Sequence, residues 1–210
     1  MSLGQNDLRR ILDDAKDAGF LGPGPVEAHL EHAEGFAEVA ETVLSRVPAR
    51  YADLGTGGGV PGLVLAVRWP EARCSFIESN RRRCEALRWA VVRLGLESRA
   101  EVIEERGEVV GQDPAHRQQY ELVTARSFAP PAPTAEIAAG LVAVGGIAVV
   151  SDSPNPDPDR WPDPNVVQLG FEPASRCTAA EAHFVVLRKA LATGDEFPRR
   201  VGRPVKRPLW

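Results

Sequence analysis

The chain has 210 residues, a length that fits one full-sized domain with at most a small appendage. Its hydrophobic content of 43% and charged content of 26% are typical of a globular protein, and no apolar run reaches the roughly 18 residues that would indicate a membrane-spanning helix. The net charge of -4 argues against a uniformly basic nucleic-acid binder, and three cysteines without a CxxC pair argue against a disulfide framework or a metal site.

The N-terminal region is predicted to be helical. Apolar residues recur at helical spacing over residues 6–18 and again over residues 26–47, and Gly22-Pro23-Gly24-Pro25 separates the two stretches. The first stretch lacks the apolar core of a secretion signal, so we expect a cytoplasmic protein. Residues 1–47, which carry nine acidic side chains, are predicted to form a helical cap on the domain that follows.

After Pro48 short apolar runs alternate with helical stretches, a rhythm that predicts a parallel sheet with helices on both faces. We therefore predict an α/β fold with a doubly wound, mostly parallel, seven-stranded sheet over residues 48–192, and a basic tail over residues 193–210. Five prolines within residues 151–164 predict a loop that could serve as a semi-rigid flap. The predicted strands are 50–54, 74–77, 100–103, 122–125, 146–151, 166–169 and 183–187, the last two as a closing hairpin, and the predicted helices are 61–68, 81–94 and 134–142.

A glycine-rich loop follows directly on the first predicted strand. Glycines adopt positive φ and let backbone N–H groups approach a ligand with no Cβ in the way. A dinucleotide-binding loop needs a glycine at its sixth position, where this chain has Val60, and the Gly-Lys-Ser/Thr of a phosphate-binding P-loop is absent. Glycines at positions one, three and five, with an acid two residues ahead, resemble the loop of class I methyltransferases, which predicts S-adenosylmethionine as the cofactor. The loop reads Asp53-Leu54-Gly55-Thr56-Gly57-Gly58-Gly59.

Two acids have a predicted role in holding that cofactor. Glu78 ends the second predicted strand, and an acid at that place can accept charge-assisted hydrogen bonds from both ribose hydroxyls. In class I methyltransferases the acid ahead of the glycines receives the amino-acid end of the cofactor, directly or through water, and Asp53 has that position. Taken singly, Asp53 could be a loop-capping residue and Glu78 a solvated acid, but their order around the glycines favours the functional interpretation.

The run from Asp53 to Leu63 reads DLGTGGGVPGL and resembles a more specific pattern, D-x-G-[ST]-G-x-G-x-P-G-[IL]. That pattern is typical of the bacterial ribosomal RNA small-subunit methyltransferase G family, also called glucose-inhibited division protein B. Proline after the glycines is unusual among methyltransferases at large. The resemblance extends over residues 51–209 through Glu78-Ser79, Arg82-Arg83, Arg106-Gly107-Glu108, Thr124-Ala125-Arg126-Ser127-Phe128, Glu181-Ala182-His183 and the tail from Phe197 to Leu209.

The resemblance implies transfer of a methyl group to N7 of a guanine in 16S ribosomal RNA. It implies a class I methyltransferase fold, with ribosomal RNA or the small ribosomal subunit as partner, and we expect a monomer or weak dimer that binds neither membrane nor metal. It also assigns Ser79, Gly107, Glu108 and Arg126 to the cofactor site, beside Gly55, Thr56, Gly57, Gly59 and the two acids.

Arginines are the candidates on the substrate side. Arg126 and Arg82 are predicted to act in catalysis, and Arg82, Arg199 and Arg200 to bind the RNA, because arginine donates bidentately to guanine O6 and to phosphates. Arg82 could instead be a solvated helix start, and the tail a disordered basic end. His29 and His32, one helical turn apart, are predicted to lie on a solvated helix face rather than at a metal.

Two departures from the family pattern leave other functions open. Ser151-Asp152-Ser153 stands where members commonly have lysine-glycine, and Ala182 replaces an arginine, and both family positions are basic. A methyltransferase for a small metabolite and a non-catalytic cofactor-binding module therefore remain alternatives. A closed apolar pocket beside the cofactor sulfur would favour the metabolite, and an open basic shelf would favour RNA.

Overall fold

The computed structural model describes residues 3–155 and 157–210. Within them a seven-stranded sheet has the order β3-β2-β1-β4-β5-β7-β6. Neighbours among the first five strands are parallel, and β7 runs antiparallel to both β5 and β6. The predicted mostly parallel sheet is confirmed. The strands are β1 (Arg50–Leu54), β2 (Arg73–Glu78), β3 (Ala100–Glu104), β4 (Tyr120–Ala125), β5 (Val142–Ser151), β6 (Ser175–Ala179) and β7 (Ala182–Arg188).

Helices cover both faces of the sheet, because side chains of each strand point alternately to one face and the other. In β1, Tyr51 joins one apolar cluster with α1–α4, whereas Ala52 joins a second cluster with α5–α7. No described helix is both long enough and apolar enough to cross a membrane. The helices are α1 (Leu3–Asp17), α2 (Val26–Leu44), α3 (Gly62–Arg68), α4 (Arg81–Arg93), α5 (Gly107–Val110), α6 (Pro131–Leu141), α7 (Asp163–Val167) and α8 (Arg203–Lys206).

The strand order reverses between β1 and β4, and in parallel sheets a ligand binds beyond the carboxyl ends of the strands at such a switch. Leu54 at the end of β1 is level with Ile77 on β2 and with Ala125 on β4. The residues that follow Leu54, Ile77 and Ala125 therefore lie together at the carboxyl edge of the sheet. Those residues are Gly55, Glu78 and Arg126.

The N-terminal helices pack into the core of the sheet. Leu12 of α1 and Phe36 of α2 are both 0% exposed and belong to the same apolar cluster as Tyr51 of β1. The connection between α1 and α2 lies at the carboxyl edge of the sheet, where the backbone oxygen of Phe20 is close to Gly57 and Gly58.

The closing hairpin differs from the prediction in its first strand. Residues 166–169 were expected to be a strand, but α7 ends at Val167, and β6 at Ser175–Ala179 pairs with β7 instead. A run of four apolar residues does not distinguish strand from helix by periodicity, and Pro164 suits a first helical turn. Val166 within α7 and Leu169 in the turn after it are both buried. β6 lies at the edge of the sheet and carries few apolar residues, so its sequence gave no clear strand pattern.

The C-terminal tail is folded against α6, so the alternative of a disordered basic end is wrong. The Arg117 guanidinium donates to the carbonyls of Thr193, Gly194 and Phe197 in the first part of the tail. Further along, Arg199 forms an ion pair with Glu136 of α6, whose side chain is 0% exposed. The basic composition of the tail hid these specific contacts.

Candidate cofactor and acceptor site

The glycine loop turns sharply at the end of β1. Gly55, Gly57 and Gly59 have φ values of 71°, 59° and 102°, a region that residues with a Cβ rarely adopt. The backbone N–H groups of Gly55 and Thr56 both donate to the carbonyl of Ile77, which fixes the loop to β2. At Gly55 a Cβ would also collide with the ring of Phe128. The glycine spacing therefore reflects a backbone path that other residues could not follow.

Asp53 anchors the glycine loop through hydrogen bonds from two neighbouring segments. Its Oδ2 accepts from the Gly62 N–H at 3.0 Å and its Oδ1 accepts from the Thr124 hydroxyl at 2.8 Å. Burial raises the pKa of Asp53 to about 6, although the hydrogen bonds from Thr124 and Gly62 act in the opposite direction. The carboxylate lies under the turn, so Asp53 is part of the framework of the site, and its contact with a cofactor stays a prediction.

Two cavities of about 200 and 190 Å³ lie beside the loop and share Gly55, Arg83 and Ser127 in their walls. The first cavity extends along the ends of β2 and β3, between Glu78 and Gly107. The second lies under the α1–α2 connection and reaches Arg126. Because they share these walls, the two cavities adjoin each other at the glycine loop.

Glu78 is the acid of the first cavity. Its Oε2 accepts from the Gly57 N–H at 3.0 Å, its Oε1 accepts from the Asn80 N–H at 2.8 Å, and Arg83 Nη1 lies 3.6 Å from Oε2. These contacts fix the orientation of the carboxylate, and each oxygen keeps a lone pair for a further donor. The geometry suits a ligand that presents two hydroxyl groups.

Arg126 is the cation of the second cavity. Its Nη2 lies 2.7 Å from His29 Nδ1, while its Nη1 is buried with no hydrogen-bond partner among the described residues. Burial lowers the pKa of Arg126, and the nearby carboxylate of Asp53 opposes that shift. A buried donor without a partner is costly, so the surroundings hold this guanidinium in place at the expense of one hydrogen bond.

Comparison with known proteins shows which family the chain belongs to. Residues 27–152, more than half of the chain, match the family model for rRNA small subunit methyltransferase G, named GidB. The chain belongs to the rRNA small subunit methyltransferase G family. Members of this family use S-adenosylmethionine to methylate N7 of a guanine in 16S rRNA.

Individual methyltransferase G relatives agree with that assignment. The ribosomal RNA small subunit methyltransferase G of Rubrobacter xylanophilus is 33% identical over 202 residues, which cover 88% of this chain and 74% of the relative. The protein of the same name from Pelotomaculum thermopropionicum is 36% identical over 164 residues, 75% of this chain and 68% of the relative.

A solved structure supports the fold independently of close sequence similarity. The O-methyltransferase from Bacillus cereus in complex with SAH superposes with a TM-score of 0.59 at 13% identity and covers 88% of this chain and 91% of its own. At this identity the likeness concerns the fold alone, which is that of a class I methyltransferase.

S-adenosylmethionine is the cofactor of the methyltransferase G family, and the two cavities fit it. Glu78 presents free lone pairs to the first cavity, where ribose hydroxyls would bind. Gly57 on the wall of the second cavity has positive φ, and a Cβ built there would meet protein atoms no closer than 3.5 Å, so the space beside it is open for a ligand. Phe128, packed between Gly55 and Gly107, supplies an apolar surface in the first cavity.

Most residues predicted for the cofactor site of this methyltransferase G protein line one of the two cavities. Glu108 does not, because its carboxylate is 2% exposed and accepts from the Gly202 N–H at 3.0 Å, which ties α5 to the tail. Gly59 closes the turn by donating to the Thr56 carbonyl. The predicted residues in the cavity walls are Gly55, Thr56, Gly57, Glu78, Ser79, Gly107 and Arg126.

The three predicted substrate-side arginines outside the cavities have different surroundings. Arg82 is exposed at the start of α4, with its guanidinium 5.8 Å from the ring of Phe20. Arg200 is exposed in the tail. Arg199 donates to Glu136 through its backbone N–H, its Nε and its Nη2, at 2.8, 2.8 and 2.5 Å, so its guanidinium is already occupied.

Arg83 is a residue of the candidate site that the sequence interpretation did not single out. It was grouped with Arg82 in a basic pair, but only Arg83 lines both cavities and approaches Glu78. Arg83 lies four residues before Leu87 and eight before Val91, which are both buried, and this spacing placed it on the inner face of α4. The helical periodicity of α4 therefore distinguishes Arg83 from Arg82.

The two histidines of α2 are also placed differently from the prediction, because their helix face is not solvated. His29 is 6% exposed, and the ring of His32 packs against Phe36 and Phe184, with centroids 5.4 Å apart in each case. His29 lies four residues before Ala33 and seven before Phe36, both buried, so it belongs to the apolar stripe of the helix.

Replacing His32 by leucine is expected to make the fold less sensitive to acid. Burial and the charge of Arg126 lower the pKa of His32 to about 4 from an ordinary value of 6.5. As pH falls from 6.5 to 4, the unfolded chain gains this proton and the folded chain does not, so the free energy of unfolding decreases. Asp53 acts oppositely, since its raised pKa makes the folded chain gain a proton first, between about pH 6 and 3.8.

Urea unfolding of the wild type and His32→Leu between pH 6.5 and 4 tests this expectation. The variant should lose less stability than the wild type over that range, because the opposing contribution of Asp53 is unchanged. Two curves that stay parallel from pH 6.5 to 4 would show that His32 takes up its proton equally in both states.

Proposed function

We propose that this chain transfers a methyl group from S-adenosylmethionine to N7 of a guanine in 16S ribosomal RNA. The observation that supports RNA over a small metabolite is the charge of the cavity walls, because the arginines Arg83, Arg106 and Arg126 outnumber the acids Glu78 and Glu105 in the two cavities beside the glycine loop. A closed apolar pocket would suit an uncharged metabolite better, and arginines suit the phosphates and carbonyl groups of a nucleotide.

The chemistry asks little of the protein beyond positioning. S-adenosylmethionine supplies an electrophilic methyl group on a sulfonium, and the new bond forms at the guanine N7 lone pair, which carries no proton. No side chain therefore has to act as a general base before the attack. The contribution of the chain is to hold the base in line and to place charge beside it. Arg126, on the wall of the second cavity, would donate to guanine O6 or to a phosphate without covering the lone pair of N7.

The residues in the cavity walls support a division of cofactor-binding roles. We assign Glu78 and Ser79 to the ribose, Gly107 to the adenine, and the loop from Gly55 to Gly59 to the amino-acid end, with Asp53 and Glu108 acting as supports. Arg83, beside Glu78, would keep that carboxylate oriented when the ribose binds.

On the substrate side, Arg82 and Arg200 are exposed and have no ion-pair partner among the described residues, so we retain them as candidates for RNA phosphates. Arg199 serves the tail through Glu136 and would affect RNA only by keeping Arg200 in place. We propose that residues 1–47 act as a cap, 48–192 as the methyltransferase domain and 193–210 as the tail. We further propose that the protein acts in the cytoplasm as a monomer or weak dimer.

Transfer of a labelled methyl group provides the test. The purified protein should label 16S rRNA, or small ribosomal subunits, from a strain that lacks the modification. A 16S transcript made with 7-deazaguanosine in place of guanosine should stay unlabelled, since it carries carbon at the reacting position. Labelling of the 7-deaza transcript would move the reaction to another atom, and no label in either naked RNA or subunits would overturn the RNA substrate.

A further inference from the structure

The imidazole of His29 bridges two walls of the second cavity. His29 stands in the first turn of α2 and is 6% exposed. Its Nδ1 lies 2.7 Å from Arg126 Nη2, and its Nε2 lies 3.2 Å from the carbonyl oxygen of Gly22. Gly22 and Arg126 both line the cavity, Gly22 from the α1–α2 connection and Arg126 from the end of β4.

These two contacts assign the protonation state of the ring. A guanidinium only donates hydrogen bonds, so Nδ1 must be the acceptor, and a carbonyl oxygen only accepts, so Nε2 must carry the proton. His29 is therefore the neutral Nε2–H tautomer. A protonated ring could not accept from Arg126 and would repel it.

The contact also determines how Arg126 can act. A free arginine side chain samples many rotamers, and ordering it costs conformational entropy. Because the guanidinium is planar, holding Nη2 fixes the orientation of the whole group at the cavity wall. The imidazole thus supplies in advance the order that an incoming acceptor would otherwise have to impose.

We propose that His29 is a positioning residue for methyl transfer, whose neutral imidazole holds the Arg126 guanidinium at the wall of the second cavity, where the acceptor nucleotide would lie. This proposal rests on the proposed function, in which Arg126 contacts guanine O6 or a phosphate. By donating to Gly22, the ring is itself held in the orientation that presents Nδ1 to Arg126.

We expect the rate of methyl transfer to fall at acid pH, which gives the pH–rate profile an acid limb. The charged and titratable groups that face His29 are Arg126 from β4, Lys16 from α1 and His32 on the next turn of α2. Burial, then Arg126 and Lys16, lower the pKa of His29, and the hydrogen bond to Gly22 only partly opposes them. His29 stays neutral at neutral pH, and its protonation in acid breaks the contact with Arg126.

A first experiment measures the coupling without any activity. The chain has four histidines, so NMR titration of their ring protons can be assigned by single substitutions. In Arg126→Met the pKa of His29 should rise relative to the wild type, because the nearby positive charge is gone. An unchanged His29 titration would overturn the proposed contact.

A second experiment measures the effect on transfer. His29→Leu should lower kcat on RNA by at least about tenfold and remove the acid limb. The Kd for S-adenosylhomocysteine, measured by calorimetry, should change by less than about threefold, a difference of under 1 kcal/mol. His29→Asn, which keeps an acceptor near the position of Nδ1, should recover part of the rate. His183→Leu, a half-buried histidine outside both cavities, serves as the matched control with wild-type transfer.

The two proposals fail in different ways. If the wild type labels RNA but His29→Leu keeps its kcat and its acid limb, the role of His29 is overturned and the proposed function stands. If the wild type labels no RNA, the proposed function fails, and the NMR titration still decides whether His29 and Arg126 are coupled. The double variant His29→Leu/Arg126→Met is expected to be no slower than Arg126→Met alone, because both substitutions disrupt the same pair of interacting side chains.

Discussion

Replacing Gly57 by valine is expected to abolish the binding of S-adenosylhomocysteine while the chain stays folded. Gly57 has φ 59°, and its N–H donates to Glu78 Oε2. A β-branched residue avoids this conformation at a cost of roughly 1–2 kcal/mol, so the turn would rebuild and the hydrogen bond to Glu78 would be lost. A branched side chain would also enter the second cavity. We expect the Kd measured by calorimetry to rise by more than about 100-fold.

Gly95→Val is the matched control, because Gly95 has φ 66° and a Cβ built there meets nothing within 4 Å. It repeats the backbone strain at the end of α4, away from both cavities, and should lower the free energy of unfolding by about 1–2 kcal/mol without changing the Kd. Equal loss of binding in both variants would mean that strain alone is responsible. Wild-type binding in Gly57→Val would overturn the assignment of the loop.

The centre of the site could be predicted because its information is local. A glycine loop after one strand and an acid after the next lie side by side whenever the two strands are parallel neighbours, as β1 and β2 are. Asp53, Gly55, Gly57 and Glu78 could thus be placed relative to one another from spacing and strand order. The motif DLGTGGGVPGL then identified the family, which the matching family model confirmed.

Residues whose role depends on helix rotation were harder to predict. Adjacent residues on a helix differ by about 100° in direction, so Arg82 is exposed while Arg83 lines the cavities. His29 was assigned to a solvated face although its spacing from Ala33 and Phe36 put it on the apolar stripe. In both cases polarity was given more weight than periodicity.

Two ion pairs outside the motifs gave no signal in the sequence. Asp152, in the segment that departs from the family pattern, is a buried carboxylate whose Oδ1 accepts from Arg160 at 2.8 Å. A lysine-glycine pair at that place would need a different loop, so the departure is matched by a local ion pair. Arg199 and Glu136 are 63 residues apart, and neither sequence context indicates the other.

Replacing Arg199 by alanine is expected to cost about 3–5 kcal/mol of stability, the largest effect in the tail. Removing one partner of a buried ion pair leaves the other charge uncompensated, and Glu136 is 0% exposed. The variant also leaves both carboxylate oxygens without the guanidinium donors at 2.8 and 2.5 Å. Urea unfolding followed by circular dichroism measures the loss.

Two control variants make this result interpretable: one at the neighbouring Arg200, and one that replaces both Arg199 and its partner Glu136. Arg200→Ala, exposed and one position along the tail, should change the free energy of unfolding by less than about 0.5 kcal/mol. Glu136→Leu/Arg199→Met, which replaces both charges by apolar groups, should recover most of the stability that Arg199→Ala loses. If Arg199→Ala instead unfolds like the wild type and only raises the KM for RNA, then Arg199 binds the substrate directly, and the ion pair with Glu136 is not what holds the tail on α6.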